Sequence, residues 1–359
     1  MANKITPAPF LGNSLNTLAQ NGTEIYQSNI IKPAIIVNGK GSELGNDKFL
    51  KGRAKKKIIS ATLALNFVDI AEKKEDYNKK KSFWNTYHCQ NRLYIVDGRL
   101  HGKYCKNRFC TICSGNRKAD IINRYLPVVK SWGEPHFLTL TVKSCNAENL
   151  PVMIEWVMMT FDKIYQKLKK RHQRDKGIKI MGIKSLECEF NPVEKTYNPH
   201  LHLIVASKEI SETLRREWVQ TWKARDKRFV VWKAQKSEAV YNLDGALVEI
   251  IKYGTKIFTP TDADNKSLNL KGGSINAVAM YNIINAMKGK RIFERFGFNL
   301  PKKTKEIPGA KVAGEYSEWK YARKYSDWLN TENELPLTGY IAPVPLVNLL
   351  KYNIDKELE

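Results

Sequence analysis

No apolar run in the 359-residue chain is long enough to span a bilayer, so an α-helical membrane protein is excluded. The first residues, "MANKITPAPFLGNSL", lack the basic start and long apolar stretch of a secretory signal, and a cytoplasmic location without membrane partners is expected. In a reducing compartment the six cysteines do not form a disulfide framework, and a cluster of them points to metal. Histidine is scarce, at six residues, and no internal repeat is evident. Acidic side chains are outnumbered: 36 Asp and Glu stand against 60 Lys and Arg, a net charge of +24. Solubility alone does not call for so large an excess of one sign, whereas a polyanionic partner such as nucleic acid does.

The chain reads as four regions. Residues 1–80 form a basic N-terminal region, partly disordered, with 1–45 polar and weakly patterned. Within it "KFLKGRAKKK" (48–57) carries six basic residues in ten, either a solvated helix face or an arm for phosphates. Residues 81–130 hold the cysteine cluster. From 131 to 260 the pattern alternates: strand "HFLTLTV" (136–142), helix from Pro151 to His172, strand 178–190, turn, strand "NPHLHLIVAS" (198–207), helix 210–225, strand "RFVVWKAQ" (228–235) and helix 244–258. That β-α-β-β-α-β-α order predicts an α+β fold, an antiparallel sheet of ferredoxin-like topology. Residues 261–359 read as a helix-rich tail with a DNA-binding role. Its segments "AMKGKRIFERFGF" (286–298) and "SEWKYARKYSDWL" (317–329) interleave basic and aromatic residues.

Cys89, Cys105, Cys110 and Cys113 lie within 25 residues, the last two as C-x-x-C. Thiolates at this spacing suit a tetrahedral Zn²⁺ site. Between the first two, "LYIVDGRLHG" predicts a hairpin turning at Asp97–Gly98 that brings the outer cysteines together, with a helix following from about residue 114. His88 and His101 are alternative ligands, and buried structural thiols or a redox pair are the competing readings. Cys145 and Cys188 are expected to be inert core thiols.

His200 and His202 sit at i and i+2 on a strand, so both rings project from one face, about 7 Å apart at Cα. A single such histidine is ordinary, but two convergent imidazoles suit one divalent cation. On the preceding strand "IKSLECEF" (183–190), a turn near Val193–Glu194 sets Glu187 opposite His200, with Glu189 as the reserve ligand. A one-residue slip would remove both carboxylates from the face. Further on, "EIIKYGTK" aligns Glu249, Tyr253 and Lys256 along one helical stripe. Alone this is a solvated face. Beside a metal site in a basic protein, Tyr253 reads as a nucleophile.

These motifs resemble, in residues and order, the HUH endonucleases, specifically the rolling-circle replication initiators of Gram-positive plasmids of the pC194 and pUB110 group. "FLTLTV" (137–142), "NPHLHLIV" (198–205) and "EIIKYGTK" (249–256) are similar to the three catalytic motifs. "YCKNRFCTICSGNRK" (104–118) resembles the cysteine-rich segment before the catalytic domain, and "KGKRIFERFG" (288–297) a later one. The resemblance spans about 100 to 298. It implies a metal-dependent nick in single-stranded or extruded origin DNA. Mg²⁺ or Mn²⁺ would be held by His200, His202 and Glu187, and Tyr253 would form a 5′-phosphotyrosyl bond and leave a free 3′-hydroxyl. The metal or Lys256 would assist the tyrosine, and Glu249 would act as general base at termination. A host helicase and polymerase are the implied partners. A conjugative relaxase or single-tyrosine transposase would share this chemistry. A non-catalytic zinc-containing nucleic-acid-binding regulator would explain charge and cysteines but not the histidine pair. Tyr241 and Tyr281 are competing nucleophiles without a glutamate four residues earlier.

Overall fold

The computed structural model describes residues 47–96, 99–253, 277–301, 317–344 and 346–347. Residues 1–46, expected to be poorly ordered, and the Asp97–Gly98 turn lie outside these. Two compact units emerge.

The first begins with helices α1 (Asp47–Lys73) and α2 (Tyr77–Tyr87). One stripe of α1, including Leu50, Ala54, Ala61, Ala64, Val68 and Ala71, is buried at helical spacing. Phe67 of α1, Phe83 of α2 and Phe109 form a triangle of ring contacts with centroids 5.3–5.4 Å apart. Strands β1 (Arg92–Val96) and β2 (Arg99–Gly102) pair antiparallel, as the hairpin pattern predicted. They are completed by chain from the far end of the sequence. In chain order these are β8 (Ser317–Ala322) and β9 (Asp327–Asn330), giving the sheet order β2-β1-β8-β9. Leu93 and Ile95 pack with Trp319, Trp328 and Leu337. Segment 317–329, expected as helix, is therefore two strands. Trp319 and Tyr321 share one face at period two, and the Trp319 side chain has the β1 surface to cover.

The second unit takes up most of α3 (Thr111–Lys130), which starts close to the expected position. It contains β3 (His136–Thr141), α4 (Leu150–His172), β4 (Gly182–Asn191), β5 (Thr196–Val205), α5 (Lys208–Arg225), β6 (Lys236–Ala239), α6 (Leu243–Tyr253), α7 (Ala277–Ala286) and β7 (Phe293–Phe296). Pro151 lies in the first turn of α4, where its missing N–H costs nothing. Ser207 caps α5 by accepting from Ile210 N. All ladders are antiparallel and the sheet order is β6-β3-β5-β4-β7. Leu138, Leu140, Leu186, Leu201 and Leu203 line one face, and α4 and α5 pack on β3 and β5 with Val157, Phe161, Leu214 and Trp218 in the same core. Pro199 is tolerated in this central strand because the β3 ladder ends at the preceding pairing, Thr141 with His200. Gly182 is needed where β4 meets its neighbours: a Cβ there would lie 2.6 Å from Ile204 O and 2.7 Å from Phe296.

Two elements depart from expectation here. Residues 228–235 are not a strand but two 3₁₀ turns, Lys227–Phe229 and Trp232–Ala234, and the strand follows at β6. Asp226 captures Arg228 N, and the Gln235 side chain takes the Thr141 amide and carbonyl, so side chains do the work of a ladder. Segment 286–298 holds the end of α7 and then β7, because the outer edge of β4 offers it a ladder from Gly182 to Ser185. No described helix is long and apolar enough to cross a membrane.

Candidate functional site

On β4 and β5 the register pairs Glu187 with His200 and Ser185 with His202. All three of Glu187, His200 and His202 are buried, and their ligand atoms lie within 4.8 Å of one another. Glu187 Oε2 is 3.1 Å from His200 Nε2 and 2.8 Å from His202 Nε2, and the two Nε2 atoms are 3.0 Å apart. Glu189 pairs with Asn198 one step nearer the turn and is exposed, outside the group.

The outer nitrogens decide what the inner ones can do. His200 Nδ1 lies 2.9 Å from Asn198 O, a carbonyl that can only accept, so this nitrogen carries the proton. His202 Nδ1 lies 3.1 Å from Thr139 Oγ1, which can accept in the same way. With both outer nitrogens donating, two Nε2 lone pairs and a carboxylate face one point. Three acceptors at this distance repel unless a cation lies among them, either a metal or a proton on one ring. Burial disfavours a charged His200, yet the hydrogen bond and charge of Glu187 outweigh it and raise its pKa above the ordinary imidazole value. Ser185 Oγ, on the same strand face as Glu187, is buried with no hydrogen-bond partner among the described residues. A water on a bound cation would relieve a desolvation cost of about 1–3 kcal/mol. Donor set and orphaned hydroxyl both fit a divalent ion.

Helix α6 packs against β4 and β5, the two strands that supply the group. Leu247 and Ile250 anchor it in the core. Glu249 and Tyr253 fall on this helix, their side chains outside the described residues, and Lys256 lies outside them altogether. Of the competing tyrosines, Tyr241 is 97% exposed and Tyr281 is buried in α7.

Cys89, Cys105, Cys110 and Cys113 form the second group, again with ligand atoms within 4.8 Å. A tetrahedron with Zn–S of about 2.3 Å has edges of about 3.8 Å, so the four sulfurs fit a tetrathiolate ion after small movements. His88 instead stacks on Trp84, and His101 is exposed on β2. Ser60 and Thr86 hydroxyls point at Cys110 and Cys105 sulfurs, both at 3.7 Å. All six cysteines are free of disulfides. Burial pushes the Cys145 thiol up to about 11 and raises Cys188 further, which keeps both protonated and inert.

Sequence reasoning missed Lys57. The run 48–57 is not wholly a solvated face, since Lys57 is fully buried and Arg53 nearly so. Lys57 Nζ donates to Tyr87 O (2.7 Å), Cys89 O (2.8 Å) and Asn91 Oδ1 (2.6 Å), tying α1 to the loop that presents Cys89. Burial lowers its pKa to about 8 against the pull of Cys89, Cys110 and Cys105. The helical spacing of Leu50, Ala54, Ala61 and Ala64 puts Lys57 on the inward stripe, and that was the available signal. Thr139 and Asn198 were also missed as partners of the histidines, though strand periodicity places both on the histidine face.

Fold and site define a basic α+β protein with two metal-competent clusters, one of sulfur and one of imidazole and carboxylate. A family model described as "Replication protein" matches residues 99–327, well over half of the chain. Among curated proteins the chain is similar to "Protein rep" of Streptococcus pneumoniae serotype 2 (strain D39 / NCTC 7466), 26% identical over 245 residues, which cover 62% of this chain and 72% of that protein. "Protein rep" of Staphylococcus aureus is 27% identical over 179 residues, 46% of this chain and 74% of the relative. That of Lactiplantibacillus plantarum is 26% identical over 211 residues, 52% and 62% respectively. No solved structure gives a significant match. The chain belongs to the replication protein family, the plasmid Rep proteins of the pC194 and pUB110 type.

Proposed function

We propose that the chain initiates rolling-circle replication of a plasmid by nicking one strand at the double-strand origin. The observation that carries this reading is the convergence of Glu187 Oε2, His200 Nε2 and His202 Nε2 on one point of the sheet. The order β6-β3-β5-β4, antiparallel throughout, supports a ferredoxin-like HUH arrangement with the histidine strand at its centre. Residues 131–260 then act as the nickase domain, and 81–130 as the zinc module.

When bound, a Mg²⁺ or Mn²⁺ ion would polarise the scissile phosphate and neutralise charge in the transition state. Glu187, His200 and His202 would hold it, with Thr139 and Asn198 orienting the rings. The Tyr253 hydroxyl attacks phosphorus and expels the 3′-oxygen, so a 5′-phosphotyrosyl bond replaces the phosphodiester and a 3′-hydroxyl is freed for a host polymerase. An unaided tyrosine has a pKa near 10, and Lys256 is assigned to stabilise the phenolate. Glu249, one helical turn from Tyr253, takes a proton from water at the second cleavage, so the protein leaves the DNA instead of re-forming a covalent bond. Cys89, Cys105, Cys110 and Cys113 would hold Zn²⁺. Partners are origin DNA, single-stranded or extruded as a hairpin, with host helicase and polymerase following.

The test is incubation with a single-stranded origin oligonucleotide and Mn²⁺, read on a denaturing gel. The wild-type protein should form a covalent adduct, and Tyr253→Phe should bind but form none. In the same assay Glu249→Ala should keep the first nick, and in replication of a plasmid carrying the origin it should accumulate products longer than one plasmid unit. Adduct formation by Tyr253→Phe, or by His200→Ala and His202→Ala together, would sink the reading.

A further inference from the structure

The tail segments were the expected place for interleaved basic and aromatic residues. Among the described residues, the stretch from α5 to β6 is one surface that combines them. Trp232 is 42% exposed and its neighbour Val231 is 66% exposed. The Arg215 guanidinium covers one face of the Trp232 indole, 4.1 Å from the ring centroid. The guanidinium restrains the indole from one side, and part of the ring remains exposed to solvent. Between Lys223 and Lys236 the only acidic side chain is Asp226, and Arg228 clamps it at 2.6–3.1 Å. Lys227, Lys233 and Lys236 are exposed on the same stretch of chain. Outside that run, Glu212 pairs with Arg215 at 3.4 Å and Glu238 is exposed on β6, but cations still outnumber carboxylates on this stretch, and an exposed aromatic side chain among them suits a flat, polyanionic ligand.

The platform is also fixed relative to the metal-competent group. Gln235, buried, donates from Nε2 to Val231 O (3.0 Å) and Thr141 O (3.2 Å), and accepts from Thr141 N (2.8 Å). Thr141 is the residue of β3 that pairs with His200. The turn carrying Trp232 is thus pinned to the strand beside the histidine strand. Two strand spacings, about 10 Å, separate the β6 edge from β5.

We propose that Trp232, backed by Arg215, is a base-stacking platform for single-stranded DNA that continues from the metal-competent face around the β6 edge. Lys227, Lys233 and Lys236 track its phosphates. The choice of DNA rests on the nicking reading above, whereas the stacking itself rests on the geometry of this surface.

The test is binding of a fluorescein-labelled twenty-nucleotide oligo-dT and a duplex of equal length, by anisotropy in EDTA, across a salt series. Trp232→Ala should weaken oligo-dT binding about ten- to a hundred-fold, the loss of one stacked base. It should leave the salt slope and duplex binding unchanged, and Trp232→Phe should retain most of the affinity. The double variant Lys233→Ala, Lys236→Ala should instead lower the salt slope by about 1.4, roughly 0.7 for each phosphate contact. Unchanged oligo-dT affinity in Trp232→Ala overturns the platform, and so does an equal loss for duplex and single strand. Matching melting curves for Trp232→Ala and wild type guard against a folding defect, and a folding defect that accounts for the binding loss also overturns it. Because no metal is present, the result is independent of cleavage. Trp232-dependent binding with no adduct from the wild-type protein overturns nicking alone, and adduct formation with Trp232-independent binding overturns the platform alone.

Discussion

Thr139→Val removes one hydroxyl beside His202 and should weaken divalent metal binding without weakening the metal-free fold. His202 Nε2 faces Glu187 Oε2 at 2.8 Å and His200 Nε2 at 3.0 Å. To ligate a metal through Nε2, the ring must keep its proton on Nδ1, where Thr139 Oγ1 accepts at 3.1 Å. Valine has nearly the same shape but no acceptor, so the metal-bound state would hold a buried N–H without a partner. That costs about 1–3 kcal/mol, or roughly ten- to a hundred-fold in metal affinity. The metal-free protein escapes the cost by shifting the proton to Nε2, where Glu187 accepts it. Mn²⁺ titration by calorimetry should therefore show the loss, while urea unfolding in EDTA should be nearly unchanged. Unaltered Mn²⁺ affinity would refute the orienting role of Thr139. An equal loss of stability in EDTA would reduce it to a packing residue.

A second expectation concerns pH. Because Glu187 raises the His200 pKa over the opposing effect of burial, the protonated pair stabilises the metal-free protein fully below about pH 6.5, and this contribution is lost as pH rises through the raised value. Mn²⁺ affinity should rise across the same window, since the ring must lose its proton to bind, and a pH-independent affinity would count against His200 as a ligand. Protein purified without chelator should carry about one zinc per chain, and strong chelation should expose the unit containing β1 and β2 to proteolysis. Absence of zinc by elemental analysis would defeat the tetrathiolate reading. Lys57→Met leaves Tyr87 O, Cys89 O and Asn91 Oδ1 without their buried donor, and urea unfolding should show a loss of about 3 kcal/mol or more. A variant as stable as wild type would mean that this ammonium does not hold the Cys89 loop.

What the sequence determined by itself was local and periodic. Two histidines at i and i+2 must share a strand face, whatever the fold around them. The length of chain between Glu187 and His200, with a turn near Val193–Glu194, limited the register enough to put the carboxylate across from the ring, and the ladder has that pairing. Cysteine spacing brought four sulfurs together for the same reason: C-x-x-C and a short hairpin leave little freedom. Tertiary structure alone decided the rest. Segments 286–298 and 317–329 have compositions compatible with helix, and only the open edges of β4 and β1 turn part of the first and most of the second into strands. Strand propensity depends on the neighbour that supplies the hydrogen bonds, and that neighbour is more than a hundred residues away. Lys57 looked like solvent-facing charge because charge is costly to bury unless paired. Its three acceptors come from residues 87 to 91, and no local pattern brings them to α1. The open indole of Trp232 depends likewise on Arg215 from α5 and on a glutamine that replaces a strand, contacts that exist only once the sheet has formed.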